Sequence, residues 1–331
     1  MQTVHLKVDP DNPNPRIIEI AAALIREGET VAFPTETVYG VGANGLDEKA
    51  VQRVFKAKRR PLNNPLLMHV MSWEQASSLV TGIYEEVLLL INRFWPGPLT
   101  LVARANDLVP PLVTAGLSTV GLRMPDHRVA LDLIKAAGVP VAATSANLSG
   151  RPSSTSARHV MKDLNGRIAG ILNAGTTGWG IESTILDVTR TPFTILRPGA
   201  ISRERLEEVL PGLIEAVRPQ PEGGGRMRAA HYRPDAQVIP VKPGDNLAEL
   251  AQAQAAKGKR VGVVVATHRE LPTLTDLVVV INGGSAEYGR RLYEIFRMAD
   301  SRRIEYLFME IPEEKGLGAA VADRIYEAAR R

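Results

Sequence analysis

The feature that most constrains this chain is a change of character between residues 211 and 235. That stretch, PGLIEAVRPQPEGGGRMRAAHYRPD, is dense in Pro and Gly and loses all apolar periodicity, as a linker does. The 331 residues exceed one ordinary domain, so the break divides the chain in two. Before it, PLLMHVM, PLTLVAR, TVGLRMP, VPVAATS, GILNAG, STILDVT and FTILRPG read as strands cut by Pro, Gly and Ser, with helical segments near 74–94 and 127–137. Many strands and fewer helices predict a mixed-sheet α/β or α+β unit ending near residue 205. After the break, QVIPV, RVGVVVAT, LVVVI and EYLFMEI alternate with helical stretches near 246–257 and 285–302 and a last helix. That alternation predicts a smaller, Rossmann-like parallel α/β domain. The expected organisation is therefore a domain over 1–205, a linker over 206–235 and a small domain over 236–331.

Local signals support the first unit. Asn14 is placed to cap a helix that opens with Pro15, carries Ile17, Ile20, Ala21, Leu24 and Ile25 on one face, and stops at Gly28. Asp47 caps a second helix with Val51, Val54 and Phe55 on its buried side. Its last turn gathers Lys56, Lys58, Arg59 and Arg60 with no carboxylate among them. A helix C-terminus favours cations, so a solvated helix end explains such a cluster as readily as an anion site does.

Several classes are excluded by what the chain lacks. With no cysteine it has no disulfide framework, Cys-ligated metal or thiol nucleophile. The start, MQTVHLKVDPDNPNP, has no apolar core or charged lead-in and is not expected to act as a signal peptide, and no run approaches the roughly 20 apolar residues that span a bilayer. A cytoplasmic protein without a membrane role is expected. The net charge of +4 is too small to identify a nucleic-acid coat. The histidines show no HxxxH or HExxH spacing, and Ser183 stands outside any GxSxG, so neither a histidine-ligated metal site nor a serine hydrolase is expected.

Four stretches can carry chemistry. After the basic cluster, Asn63-Asn64-Pro65 turns the chain into a strand ending at His69, so cations, amides and an imidazole share one corner that suits a polyphosphate or carboxylate. In TVGLRMP, period-2 geometry puts Thr119, Gly121 and Arg123 on one face, a floor for a small anion with Gly121 making room. In VAATSANLSGRPSSTSA, over residues 141–157, a strand opens into hydroxyls, Asn147 and Gly150, which suits backbone and hydroxyl contacts to phosphate, although no Gly-Lys-Ser/Thr ends it. In PTETVYGVGANG, Thr35, Thr37 and Tyr39 alternate beside Gly40 and Gly42. An ordinary polar loop or solvent-facing strand accounts for each of the last three equally simply. The linker adds Arg226, Arg228, His231, Tyr232 and Arg233. The small domain lacks a G-x-G-x-x-G fingerprint: Gly223–Gly225 fall in the linker and Gly316-x-Gly318 opens the final helix.

In order along the chain, FPTETVYGVGA, KAKRRPLNNPL with His69, RFWPGPLTLV, VGLRMPDH, TSANLSGRPS and ESTILDV…ILRPGAI resemble the YrdC-like family. With HYRP and the small domain, the chain is similar to its longer, two-domain members. The resemblance implies an enzyme, a nucleotidyltransferase that condenses L-threonine, bicarbonate and ATP to threonylcarbamoyl-adenylate and pyrophosphate, with Mg²⁺ carried by ATP and no metal held by the protein. A downstream transferase would use the product to modify an adenosine of tRNA. Carried over by position, Lys58 and Arg60 are the implied catalytic cations. Arg60, Asn64, Thr119, Ser145, Asn147, Ser153, Arg197 and Tyr232 are implied for ATP, and Thr37, His69, Arg123 and Ser183 for threonine. Lys58 and Arg60 would stabilise the departing pyrophosphate, with Arg123 on the threonine carboxylate. The linker would act as a lid. Two alternatives remain from the sequence: a carbamoyl-adenylate-forming enzyme and a double-stranded-RNA-binding protein, with weak RNA binding as a secondary property of the first reading.

Overall fold

A computed structural model describes residues 2–215, 232–266 and 272–330. The chain divides into two compact units. The first holds the chain up to Ser149, Ser153–Gly178 and the segment from Glu182 to the linker. The second holds the C-terminal residues and takes in two short excursions of the earlier chain, Gly150–Pro152 and Trp179–Ile181. No boundary of that kind was expected from the sequence, because non-local contacts define it. Arg233 N–H donates to the Gly150 carbonyl at 2.9 Å, Arg297 Nη2 donates to that of Pro152 at 2.5 Å, and the Gly180 Cα lies against the Arg290 backbone.

The strands of the first unit are β1 (Val4–Lys7), β2 (Val31–Phe33), β3 (Gly40–Asn44), β4 (Leu67–His69), β5 (Val80–Thr81), β6 (Leu99–Ala105), β7 (Thr119–Arg123), β8 (Val141–Ser145), β9 (Gly170–Asn173), β10 (Thr184–Asp187), β11 (Phe193–Arg197) and β12 (Ile214–Glu215). They form one mixed sheet in the order β1-β9-β2-β3-β8-β4-β7-β6-β10-β11-β12, with β5 paired to β6. Its helices are α1 (Pro15–Arg26), α2 (Glu48–Lys58), α3 (Trp73–Ser77), α4 (Glu85–Phe94), α5 (Pro111–Thr114), α6 (Arg128–Ala137), α7 (Ala157–Leu164) and α8 (Arg203–Val209). The helical stretch expected near 74–94 is broken into α3, β5 and α4, with Gly82 between them at φ +64°.

The two faces of the sheet bury separate cores. Val31, Phe33, Val141 and Ala143 pack with Ile18, Ala21, Ile25, Val129 and Leu133 of α1 and α6. Ala32, Val41, Met68 and Leu122 face Val51, Val54 and Phe55 of α2. Asn14 does cap α1, accepting from Arg16 N–H at 3.0 Å, but the buried stripe is Ile18, Ala21, Ala22 and Ile25, while Ile20 is exposed. Asp47 caps α2 through Lys49 N–H at 2.9 Å. That helix ends at Arg59 in the left-handed region (φ 54°), which turns the basic segment sharply away from the helix axis.

The second unit has a four-stranded sheet of β13 (Gln237–Val241), β14 (Val261–Val265), β15 (Leu277–Val280) and β16 (Tyr306–Glu310), all parallel, in the order β13-β16-β14-β15. Helices α9 (Leu247–Ala255), α10 (Gly284–Ser301) and α11 (Leu317–Ala329) connect and flank it. The fold class read from the sequence, a mixed-sheet unit followed by a smaller parallel α/β unit, is the one observed. Among the described residues, no helix is long and apolar enough to cross a membrane.

Candidate active site

Strand register explains why separated motifs meet on one surface. Leu67 of β4 pairs with Gly121 of β7 and Ala143 of β8, and His69 pairs with Arg123 and Val141. Gly40 and Gly42 of β3 pair with Ser145 and Ala143. Directly paired residues share a face, as do residues two apart. Ser145, Leu67, His69, Thr119, Gly121 and Arg123 therefore all lie on one side of the sheet. The rows also separate them. Ser145 and Thr119 lie two rows from His69 and Arg123, a span of about 13 Å at roughly 3.3 Å per residue.

At the Ser145 end the basic segment is folded inward. Lys58 is buried, and its ammonium donates to the main-chain carbonyls of Ser145 and, at 2.6 Å, of Asn147. Ser149 N–H returns a bond to the Lys58 carbonyl at 2.9 Å. Burial pushes the Lys58 ammonium well below its ordinary pKa, Arg60 pushes it further down, and Asp163 opposes both. Lys58 thus ties helix α2 to the Ser145–Ser149 loop and spends its donors on carbonyls. Arg60 is likewise committed to its own turn, with Nε to the Asn64 carbonyl at 2.9 Å and Nη2 to Asn64 Oδ1 at 2.7 Å and the Pro65 carbonyl at 2.8 Å. A guanidinium that closes a turn in this way fixes both its own plane and the Asn64 amide.

At the other end, Arg123 Nη2 lies 2.7 Å from Glu36 Oε2, and both side chains are buried. His69 stands edge-on to the Phe33 ring, with centroids 5.8 Å apart. Burial holds its pKa down to about 3, with the Arg123 charge adding to the effect and the Leu67 backbone opposing it. The imidazole is therefore neutral at pH 7. Thr37 is buried and its hydroxyl lies 2.9 Å from that of Thr35, which donates in turn to the Val38 carbonyl at 2.6 Å. The space expected beside Gly121 is not open. A Cβ there would lie 2.5 Å from Leu67 Cδ2, so the glycine admits the neighbouring leucine and leaves no hole in the floor.

Ser183 and Arg197, assigned from the sequence to different substrates, touch each other. Arg197 Nη2 donates to the Ser183 carbonyl at 2.9 Å, and the Ser183 hydroxyl lies 2.7 Å from that of Thr100. Gly199 allows this hairpin to close, since a Cβ would sit 2.3 Å from the Ser183 carbonyl carbon. Ser153 donates to Glu182 Oε1 at 2.7 Å, buried on both sides.

Tyr232 belongs to the second unit. It is 2% exposed, and its ring packs at a tilt against that of Tyr293, centroids 5.3 Å apart, with the Arg324 guanidinium 5.2 Å from its centroid. Arg226, Arg228 and His231, and with them the body of the proposed lid, lie outside the described residues.

Sequence reasoning missed Glu36, Asp163 and Glu182. Glu36 carried a usable signal, because it is the one carboxylate between Glu29 and Asp47 in a run of hydroxyls, glycines and apolar residues. Asp163 and Glu182 carried none, since each acts through a partner distant in sequence.

Known proteins resemble the chain over both units. A family model described as telomere recombination (Sua5, YciO, YrdC) matches residues 23–199, and one described as threonylcarbamoyl-AMP synthase, C-terminal domain, matches residues 201–330. The threonylcarbamoyl-AMP synthase of Pyrococcus abyssi (strain GE5 / Orsay) is 44% identical over 326 residues, 94% of each chain. That of Bacillus subtilis (strain 168) is 40% identical over 332 residues, covering 96% of this chain and 93% of its own. Among solved structures, P. abyssi Sua5 complexed with L-threonine superposes with a TM-score of 0.92 at 42% identity, over 99% of this chain and 98% of that one. E. coli YciO shares the fold alone, with a TM-score of 0.55 at 24% identity over 60% of this chain and 96% of its own.

Proposed function

We propose, from the premise that this chain belongs to the family of threonylcarbamoyl-AMP synthases, that it condenses L-threonine, bicarbonate and ATP to threonylcarbamoyl-adenylate and pyrophosphate. In this reading the neutral threonine amine attacks the bicarbonate carbon, a C–N bond forms as one C–O bond breaks, the oxygen leaves with the amine proton as water, and a carbamate remains. A carbamate oxygen then attacks the α-phosphorus, the bond from that phosphorus to the bridging oxygen breaks, and pyrophosphate leaves. No covalent enzyme intermediate is involved, and rate comes from positioning and charge stabilisation. The reading makes the protein a nucleotidyltransferase whose product feeds a tRNA-modifying transferase.

The observation that carries the proposal is the two-ended sheet face. Asn64, Thr119, Ser145 and Asn147, with Arg60, sit toward one end for the nucleotide, and Arg123 and His69 toward the other for the amino acid. A span of about 13 Å suits a triphosphate laid along the face with its α-phosphorus toward the amino acid. The threonine complex of the P. abyssi relative and the shared family supply independent support. Lys58 acts here as a strut that holds the Ser145 and Asn147 loop in shape; Ser153 and Arg197 serve the nucleotide and Thr37 and Ser183 the threonine, with the touching Ser183–Arg197 pair where the two substrates meet. Mg²⁺, carried by the triphosphate, would offset part of its charge, with Arg60 and Asn64 nearest the phosphates.

The test is pyrophosphate release from ATP and bicarbonate with L-threonine, L-serine or carbamoyl phosphate added in turn. Release that needs L-threonine and bicarbonate supports the proposal. Release driven by carbamoyl phosphate would replace it with carbamoyl-adenylate formation. A folded protein that releases nothing but binds double-stranded RNA in a salt-sensitive way would replace it with RNA binding.

A further inference from the structure

Arg104 of β6 extends a row on the face that carries the candidate site. β6 and β7 are antiparallel, with Arg104 directly opposite Thr119, so the two side chains share a face. Ser145 lies in the same row, two strands beyond Thr119, at roughly 4.8 Å per strand. On its other side Arg104 is opposite Thr81 of β5. Both cross-strand neighbours are neutral hydroxyls, where an exposed strand arginine is commonly stabilised by an acid. Along β6 this face passes from closed to open. Thr100 and Val102 are buried, whereas Arg104 is exposed beside a half-buried Thr119.

We propose that Arg104 is a further phosphate-binding residue of the nucleotide site, with its guanidinium on the terminal phosphates of the triphosphate. The inference deepens the proposed function and rests on it.

Position and availability together select this role. Lys58 and Arg60, the cations nearest this row, donate to the carbonyls of Ser145, Asn147, Asn64 and Pro65. Arg104 makes no side-chain hydrogen bond or ion pair among the described residues, so meeting an anion breaks no bond within the protein. Its planar fork matches two phosphate oxygens at once, and the Thr119 and Ser145 hydroxyls in the same row add neutral donors beside it. An anion held at Arg123 lies at the other end of the face, about 13 Å along the strands, so the two arginines serve different groups. Exposure also suits a contact to the part of the substrate that departs, because pyrophosphate held there leaves directly to water.

The experiment is calorimetric titration of the full chain, and of its Arg104→Gln and Arg104→Lys variants, with ATP, AMP and a short RNA duplex, in Mg²⁺ at low and high salt. Arg104→Gln should keep the wild-type Tm, since the side chain packs against nothing it must hold. It should weaken ATP binding by roughly 10- to 100-fold, the range of one hydrogen bond to a charged group, and leave the binding of AMP, which lacks the terminal phosphates, unchanged. Arg104→Lys keeps the charge without the fork and should fall between the two. The loss for ATP should shrink as salt rises, as expected of an exposed charge. Unchanged ATP affinity in Arg104→Gln, with ATP binding by the wild type intact, would overturn the inference and leave the proposed function standing. So would an equal loss for AMP, or a variant that loses RNA affinity alone. Wild-type protein that binds no ATP would overturn both.

Discussion

The Lys58 ammonium donates to the Asn147 carbonyl at 2.6 Å, from the end of helix α2 to a loop some ninety residues later in the chain. A buried cation with two carbonyl partners is a structural strut, and the loop it fixes carries Ser145 and Asn147, both candidates for nucleotide contact. Lys58→Ala should lower kcat/KM for ATP by roughly 10²–10³-fold, the scale of two lost hydrogen bonds from a charged group, chiefly through a raised KM for ATP. Lys58→Met, which keeps the volume, should be equally impaired. Steady-state kinetics with ATP varied at saturating threonine and bicarbonate check this, and a Lys58→Met enzyme with normal KM for ATP contradicts it.

Asn64 depends on Arg60 for its orientation, through Nη2–Oδ1 at 2.7 Å. Arg60→Lys retains the charge but loses the planar fork. It should therefore weaken ATP binding about as much as Asn64→Ala does, and the double variant should be little worse than either single one. Equilibrium nucleotide binding in a double-mutant cycle measures this coupling, and simple additivity would show that the two residues act separately.

His69 gives the folded chain an acid liability. The unfolded imidazole takes a proton near pH 6.5, whereas burial keeps the folded one neutral down to about 3. Between those values the unfolded state binds more protons, so stability is full above about pH 6.5 and falls as pH drops toward 3. The loss reaches on the order of 5 kcal/mol. His69→Gln, which cannot titrate, should show a distinctly shallower fall in Tm between pH 7 and pH 4.5 than the wild type. Parallel pH profiles for the two would remove His69 as the cause.

Much of the scaffold was legible in the sequence, because caps and periodicity are local. Asn14, Asp47 and the alternation of TVGLRMP predicted α1, α2 and the face shared by Thr119, Gly121 and Arg123. The failures came from long-range contacts. Ile20 satisfies the helical spacing as well as Ile18 does, and only the packing of α6 decides between them. The space at Gly121 was taken by Leu67 from a paired strand. The carbonyl partners of Lys58 lie in another motif, so the sequence offers only a phosphate role for it and does not show its structural one. The candidate residues themselves were named correctly as neighbours in several cases, His69 with Arg123 among them, but their partners Glu36, Asp163 and Glu182 were not.

Gly199 is a point where the backbone itself sets the site. Its Cα approaches the Ser183–Thr184 peptide so closely that an added methyl would lie 2.3 Å from backbone atoms. Gly199→Ala should destabilise the first unit by about 1–3 kcal/mol and lower activity by displacing Ser183 and Arg197. Gly212 has φ +74°, but a methyl added there would meet nothing within 4 Å. Changing it to Ala should cost only about 1 kcal/mol and leave activity intact. Chemical denaturation and turnover of the pair distinguish a crowded glycine from a merely left-handed one.

The most direct measurement follows the carbon. The protein is incubated with ATP, Mg²⁺, L-threonine and ¹³C-bicarbonate, and the nucleotide products are read by mass spectrometry. The expected product is a threonylcarbamoyl-adenylate carrying one ¹³C, formed with equal amounts of pyrophosphate and absent when threonine is omitted. Pyrophosphate released with no labelled adenylate, or an adenylate formed only when carbamoyl phosphate supplies the carbon, would contradict the proposed reaction.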